Sequence, residues 1–262
     1  MTALPAQPQT IGKVLDSGIK LYIRGLGKVL PISLVIALLG MVPNYVQTNP
    51  GLIQQSDPAT LGVYAIGYIV ILVLLGIVVY GAMIKVYGDL GAGASPSIGG
   101  ALNRGASKLF PILIAGILYF LAVSIGSILL IIPGIILMLS MYLFSTAIIL
   151  DNKGIVESLK YSHSLVWGNW WRTATIFSVP VVIIIGLYVL LGIVVGMVMA
   201  SMAASAGSFN PGNFSQFIWF FLAEAVINAV VYPLFYAMAV VVYHDLKARK
   251  GGGDLEARLA GA

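Results

Sequence analysis

Long apolar runs alternate with short basic segments along this chain, and the alternation predicts its architecture. Apolar helices are expected at about Val29–Val46, Leu61–Ile84, Leu109–Ile132, Ile135–Leu150, Thr173–Ala200 and Gln216–Tyr243. At 1.5 Å per residue, a helix needs about 20 apolar residues to cross roughly 30 Å of hydrocarbon. The fourth run is short, and Pro133-Gly134 links it tightly to the third, so the two read as an antiparallel hairpin. Ahead of the first run, Ile11, Val14, Leu15, Ile19, Leu21, Tyr22 and Leu26 share one helical face, with Lys13, Asp16, Lys20 and Arg24 opposite. That pattern predicts a helix over 10–28 lying in the membrane interface, with Thr10 as its N-cap. The expected fold is all-α, a single membrane domain over 1–262. Six transmembrane helices fill 29–243, three interfacial amphipathic helices lie on the cytoplasmic side, and 251–262 forms a flexible tail.

Composition excludes a soluble alternative. Apolar residues make up 60% of the chain and charged residues 9%, and the mean hydropathy is +1.01, beyond what a water-exposed surface of this length tolerates. The net charge of +5 does not point to nucleic acid, because its distribution is topological. All 14 Lys and Arg fall in four segments: the N-terminal helix, the second connection (Lys85, Arg104, Lys108), the fourth (Lys153, Lys160, Arg172) and the C-terminal stretch (Lys247, Arg249, Lys250, Arg258). The three alternate connections carry none, so the positive-inside rule puts both termini in the cytoplasm. Cysteine is absent, which removes disulfides and thiolate chemistry. His163 and His244 fit no metal-ligand spacing.

Three basic segments share a pattern: IGKVLDSG from Ile11, IGGALNRG from Ile98 and IVESLKYS from Ile155. Each sets an aliphatic residue four positions before Leu15, Leu102 or Leu159, with polar residues and a small one following. The expectation is three units of surface helix plus hairpin, related by an axis along the membrane normal. Within Ile131–Arg172, the residues Pro133-Gly134-Ile135-Ile136, Asp151, Gly154-Ile155, Ser158, Ser162, Leu165, Trp167 and Asn169 resemble the YciC-like bacterial inner-membrane family. More distantly they resemble the membrane domain joined to glycerophosphodiester phosphodiesterases. The resemblance covers about forty residues, and this chain has Ser145 where the family pattern often carries a kinking proline. It implies a six-span bacterial inner-membrane protein concerned with envelope or lipid upkeep, and it supplies no catalytic residues.

Two groups of residues could carry function. Glu224 is the one acidic residue inside a run, roughly 12 Å from Gln216 along the helix. Gln216, Glu224, Asn228, Tyr232 and Tyr236 fall at spacings of four or eight, which makes one polar stripe. An intramembrane carboxyl must be neutral, paired or hydrated, so the stripe is either a hydrogen-bonded packing cluster or the path of a transporter or channel for protons, ions or a small apolar solute. The second group is Trp167, Trp170, Trp171 and Arg172, an aromatic-basic edge suited to headgroups. With Lys153 and Lys160 it could form a lipid site favouring anionic headgroups. Gly192, Gly196 and Ala200 give a small face for packing within the bundle or between copies in a homo-oligomer. No paired carboxylates, Ser-His pair or metal set lies in the spans, so the chain is expected to be no enzyme and to use no cofactor. The leading expectation is a non-enzymatic protein associated with membrane lipids.

Overall fold

A computed structural model describes residues 4–5, 7–47, 51, 57–204 and 214–260. The described residues form helices and no strand: α1 Ile11–Leu39, α2 Val42–Gln47, α3 Pro58–Gly91, α4 Ile98–Ser107, α5 Leu109–Leu129, α6 Ile131–Met141, α7 Phe144–Asp151, α8 Ile155–Val166, α9 Trp170–Ala204 and α10 Phe214–Ala260. Six helical stretches are long and apolar enough to cross a membrane, Ile11–Val46, Pro58–Gly91, Leu109–Leu129, Ile131–Asp151, Trp170–Ser201 and Ile218–Gly252. This is an all-α, polytopic membrane protein.

The chain divides into two compact units, one of residues 1–29, 77–179 and 233–262, the other of 30–76 and 180–232. Every Lys and Arg falls in the first, while Asp57 and Glu224 are the only charged residues of the second. The second unit is built from apolar helical segments. The Ser33 hydroxyl donates to the Ala229 carbonyl (2.8 Å), and Tyr68 donates to the Leu39 carbonyl. Gly192 and Gly196 are exposed, with no described atom within 4 Å of where a Cβ would stand. The small face is therefore not packed inside the chain among the described residues.

In the first unit, the N-terminal amphipathic stretch does not stop at Lys28. It runs on through Pro31 as one 29-residue helix, because no breaker separates Lys28 from Val29. Val14, Leu21 and Val29 are fully buried along it, and Gly18 and Gly25 bring its backbone against Met238 and Tyr87. A stripe at spacings of seven and eight residues buried this completely marks a packed helix. Thr10 does cap its start, accepting from the Lys13 amide at 3.4 Å. In the stretch expected to form a tail, α10 continues past Gly251 to Ala260, where Leu255, Glu256, Ala257 and Arg258 are strong helix formers.

The fourth apolar run is broken into α6 and α7 at Tyr142–Leu143 without any proline. The amide freed at Leu143 is captured by the Ser162 hydroxyl (3.0 Å), which itself donates to the Ser140 carbonyl (2.8 Å). This satisfies backbone groups that a helix break would otherwise leave bare. Helix α8 supplies that hydroxyl because it packs against α5, α6 and α7, burying Ser158, Leu159, Ser162, Leu165 and Val166. Its opposite face stays polar.

The three related segments begin helices at Ile11, Ile98 and Ile155. In each, the residue seven positions on is small and buried: Gly18, Gly105 and Ser162. Gly105 is the tightest, since a Cβ there would run into the Val78 carbonyl and the Ala82 amide. Gly105→Ala is expected to lower stability by about 1–3 kcal/mol through overpacking against backbone. Gly99→Ala on the same helix, with open space around it, should be neutral or slightly stabilising. Reversible unfolding in detergent micelles compares the two.

Candidate functional site

The turn after α8 builds an aromatic wall. Gly168 adopts φ +86, a conformation that glycine takes without strain, and it lets the chain reverse between Val166 and Trp170. The Asn169 carbonyl then accepts from the Thr173 amide (2.9 Å) to start α9. Trp170 points back and donates its indole N–H to the Ile136 carbonyl (3.3 Å), and its ring meets Trp171 edge-on with centroids 4.8 Å apart. Trp171 is 79% exposed and Trp167 is also exposed. Together with Ile132, Ile135, Ile136 and Gly168, the three tryptophans wall a cavity of about 590 Å³. Its lining is apolar throughout. His163 braces the wall, its ring 5.0 Å from Trp167 and its Nδ1 3.0 Å from the Ser140 hydroxyl.

Arg172 is not part of that wall. The structure brings its guanidinium to Asp245 instead, with Nη2 at 2.9 Å and Nε at 3.2 Å from the same carboxylate oxygen. Asp245 is 1% exposed and also receives Arg249 Nε at 3.1 Å and the Gln9 amide at 2.8 Å. Both arginines further donate to the Gln9 carbonyl. A buried carboxylate thus gathers three segments far apart in sequence. Elsewhere in the first unit, Asp151 accepts from Tyr243 (2.7 Å) and pairs with Lys247, while Arg104 donates twice to the Ile149 carbonyl near the end of α7 (2.8 and 3.1 Å).

Lys153 and Lys160 stand on the polar side of α8. Lys153 pairs with Glu157 at 2.7 Å and lies over the Tyr161 ring. That ammonium and the Gly154 amide hold the Glu157 carboxyl below its ordinary range. Because the folded value is depressed, the pair's contribution is present above the ordinary carboxylate range and fades as pH falls through the folded value. Lys160 is exposed and, with Val156, Glu157, Tyr161 and Ser164, lines a shallow depression of about 570 Å³.

The polar stripe on α10 is not assembled as its spacing suggested. Asn228 is taken by the Tyr188 hydroxyl at 2.7 Å, Tyr232 is exposed and Glu224 is half-buried. Tyr236 belongs to the other unit, where its ring meets Tyr80 edge-on at 5.0 Å. The Gln216 side chain lies outside the described residues. Sequence reasoning passed over Asp245 and Gln9. The one available signal was an acid at the mouth of an apolar helix with Arg249 four residues on.

A family described as a domain of unknown function, DUF7847, matches residues 60–246. The chain belongs to that family. The DUF7847 region takes in the tryptophan wall and Asp245 and leaves out α1 and Gln9. No curated protein and no solved structure matches the chain, so the reading of the DUF7847 region rests on its own geometry.

Asp245→Ala leaves two part-buried guanidiniums without their carboxylate and is expected to cost about 2–4 kcal/mol, less than breaking a fully buried pair. Adding Arg172→Leu should recover part of that loss, and a double-mutant cycle in detergent measures the coupling.

Proposed function

We propose that this protein is a non-enzymatic, lipid-binding component of a bacterial inner membrane, with anionic lipid gathered at its basic face. The observation that carries the reading is the tryptophan-walled cavity. Its volume of about 590 Å³ and its uninterrupted Ile and Trp lining suit an acyl chain and offer nothing to orient a polar substrate. Indole rings prefer the headgroup boundary, and exposed Lys160 supplies positive charge on the neighbouring helix. The likeness of Ile131–Arg172 to YciC-like proteins supports a place in envelope upkeep, and the distribution of cations supports cytoplasmic termini.

A second reading, transport, draws on Glu224, a half-buried carboxyl one helical turn from the Tyr188–Asn228 bond. It predicts proton or ion flux in proteoliposomes that Glu224→Gln abolishes.

For the lipid reading, the purified protein should retain phospholipid, enriched in anionic species, through detergent exchange. The exposed pair Trp167→Ala and Trp171→Ala should lower retention several-fold without loss of thermal stability. Native mass spectrometry with phosphorus quantification reads both outcomes. Equal retention by the variant and the wild type would sink the reading.

A further inference from the structure

Between Lys108 and Asp151 the chain carries no charged residue. At the α5–α6 turn five successive residues, Ile128 to Ile132, are each between 68 and 83% exposed. Such a tip is at rest only in hydrocarbon. Were the hairpin to cross the whole bilayer, these side chains would meet the far aqueous face with no aromatic or polar residue among them to engage headgroups. The contacts within the first unit hold the tip elsewhere.

Ile132, Ile135 and Ile136 form one side of the tryptophan cavity, and the Ile136 carbonyl is bonded to Trp170. Two residues on, Arg172 is locked to Asp245 beside Arg249, among the cations that mark one aqueous face. One indole side chain and two helical residues therefore separate α6 from that charged layer, far less than the roughly 30 Å of a hydrocarbon core. Helix α8 reinforces this. It starts beside the Lys153–Glu157 pair and runs back along α6, to which it is tied through Ser162 and Ser140.

We propose that α5 and α6 form a re-entrant hairpin that enters and leaves through the basic face, with its apolar tip and the tryptophan wall seated among the acyl chains of that leaflet. Length and composition suit α5 and the whole Ile131–Asp151 stretch to a crossing, and it is the contacts that set their depth. The non-helical backbone at Leu130 is tolerable at such depth because its amide is bonded to the Gly126 carbonyl (3.1 Å) and its carbonyl accepts from the Gly134 amide (3.4 Å). The inference does not depend on the lipid-binding reading, since a crossing hairpin could bind lipid equally well.

The absence of cysteine gives a clean test. A bimane label is placed at Leu130→Cys or, as control, at Tyr64→Cys near the cation-free end of α3, both exposed positions. Each protein is reconstituted with its basic face inward. Phospholipid brominated in its acyl chains is exchanged into the outer leaflet alone. The emission at position 64 should fall several-fold and that at position 130 should stay unchanged, whereas bromination of both leaflets should quench position 130 several-fold. Quenching at position 130 by the outer leaflet alone, as strong as at position 64, would overturn the proposal. So would a failure of both-leaflet bromination to quench it, because the tip would then not be in lipid.

Discussion

A cation in hydrocarbon costs several kcal/mol, and that penalty governs the whole chain. Lysines and arginines are confined to one of the two units, which leaves the other with Asp57 and Glu224 as its only charges. Where a cation is nevertheless partly buried as helices pack, it is matched. Arg172 and Arg249 converge on Asp245 and on the Gln9 carbonyl, so neither the carboxylate nor the guanidiniums face apolar surroundings unpaired. Such a cluster specifies which segments meet more than it adds net stability, because desolvation offsets much of the Coulomb attraction.

The apolar helices and the tryptophan edge were legible from the sequence, since each is a local pattern of residue type. The contacts that organise the first unit were not. Arg172 beside three tryptophans looks like a headgroup ligand until a carboxylate 73 positions later claims it. The break at Tyr142–Leu143 has no proline to announce it, because what permits it is a serine on another helix. The continuation of α1 through Lys28 was masked for a different reason. A polar face suggests a helix lying on a surface, while the burial of Val14, Leu21 and Val29 depends on helices that are distant in sequence. The α10 stripe shows the converse error, since correct spacing on one helix does not fix what Asn228 or Tyr236 touches.

The weak internal similarity acquires physical content from packing. Helices beginning at Ile11, Ile98 and Ile155 each bury a small residue seven positions on, and each uses it differently. Gly18 lies against a methionine, Gly105 against another helix backbone, and Ser162 supplies a hydroxyl to a broken helix. A shared need for close approach accounts for the recurring pattern without requiring the three segments to perform the same task.

The bond between the Gln9 amide and Asp245 joins positions 236 apart, which imposes an order of events on biogenesis. As the ribosome delivers the chain from its first residue, Gln9 and Arg172 are made long before the acid that holds them. The nascent protein must therefore carry an unmatched guanidinium at the membrane surface until α10 is inserted. Closure of the cluster waits for α10, and a chain stalled short of residue 245 remains unlatched.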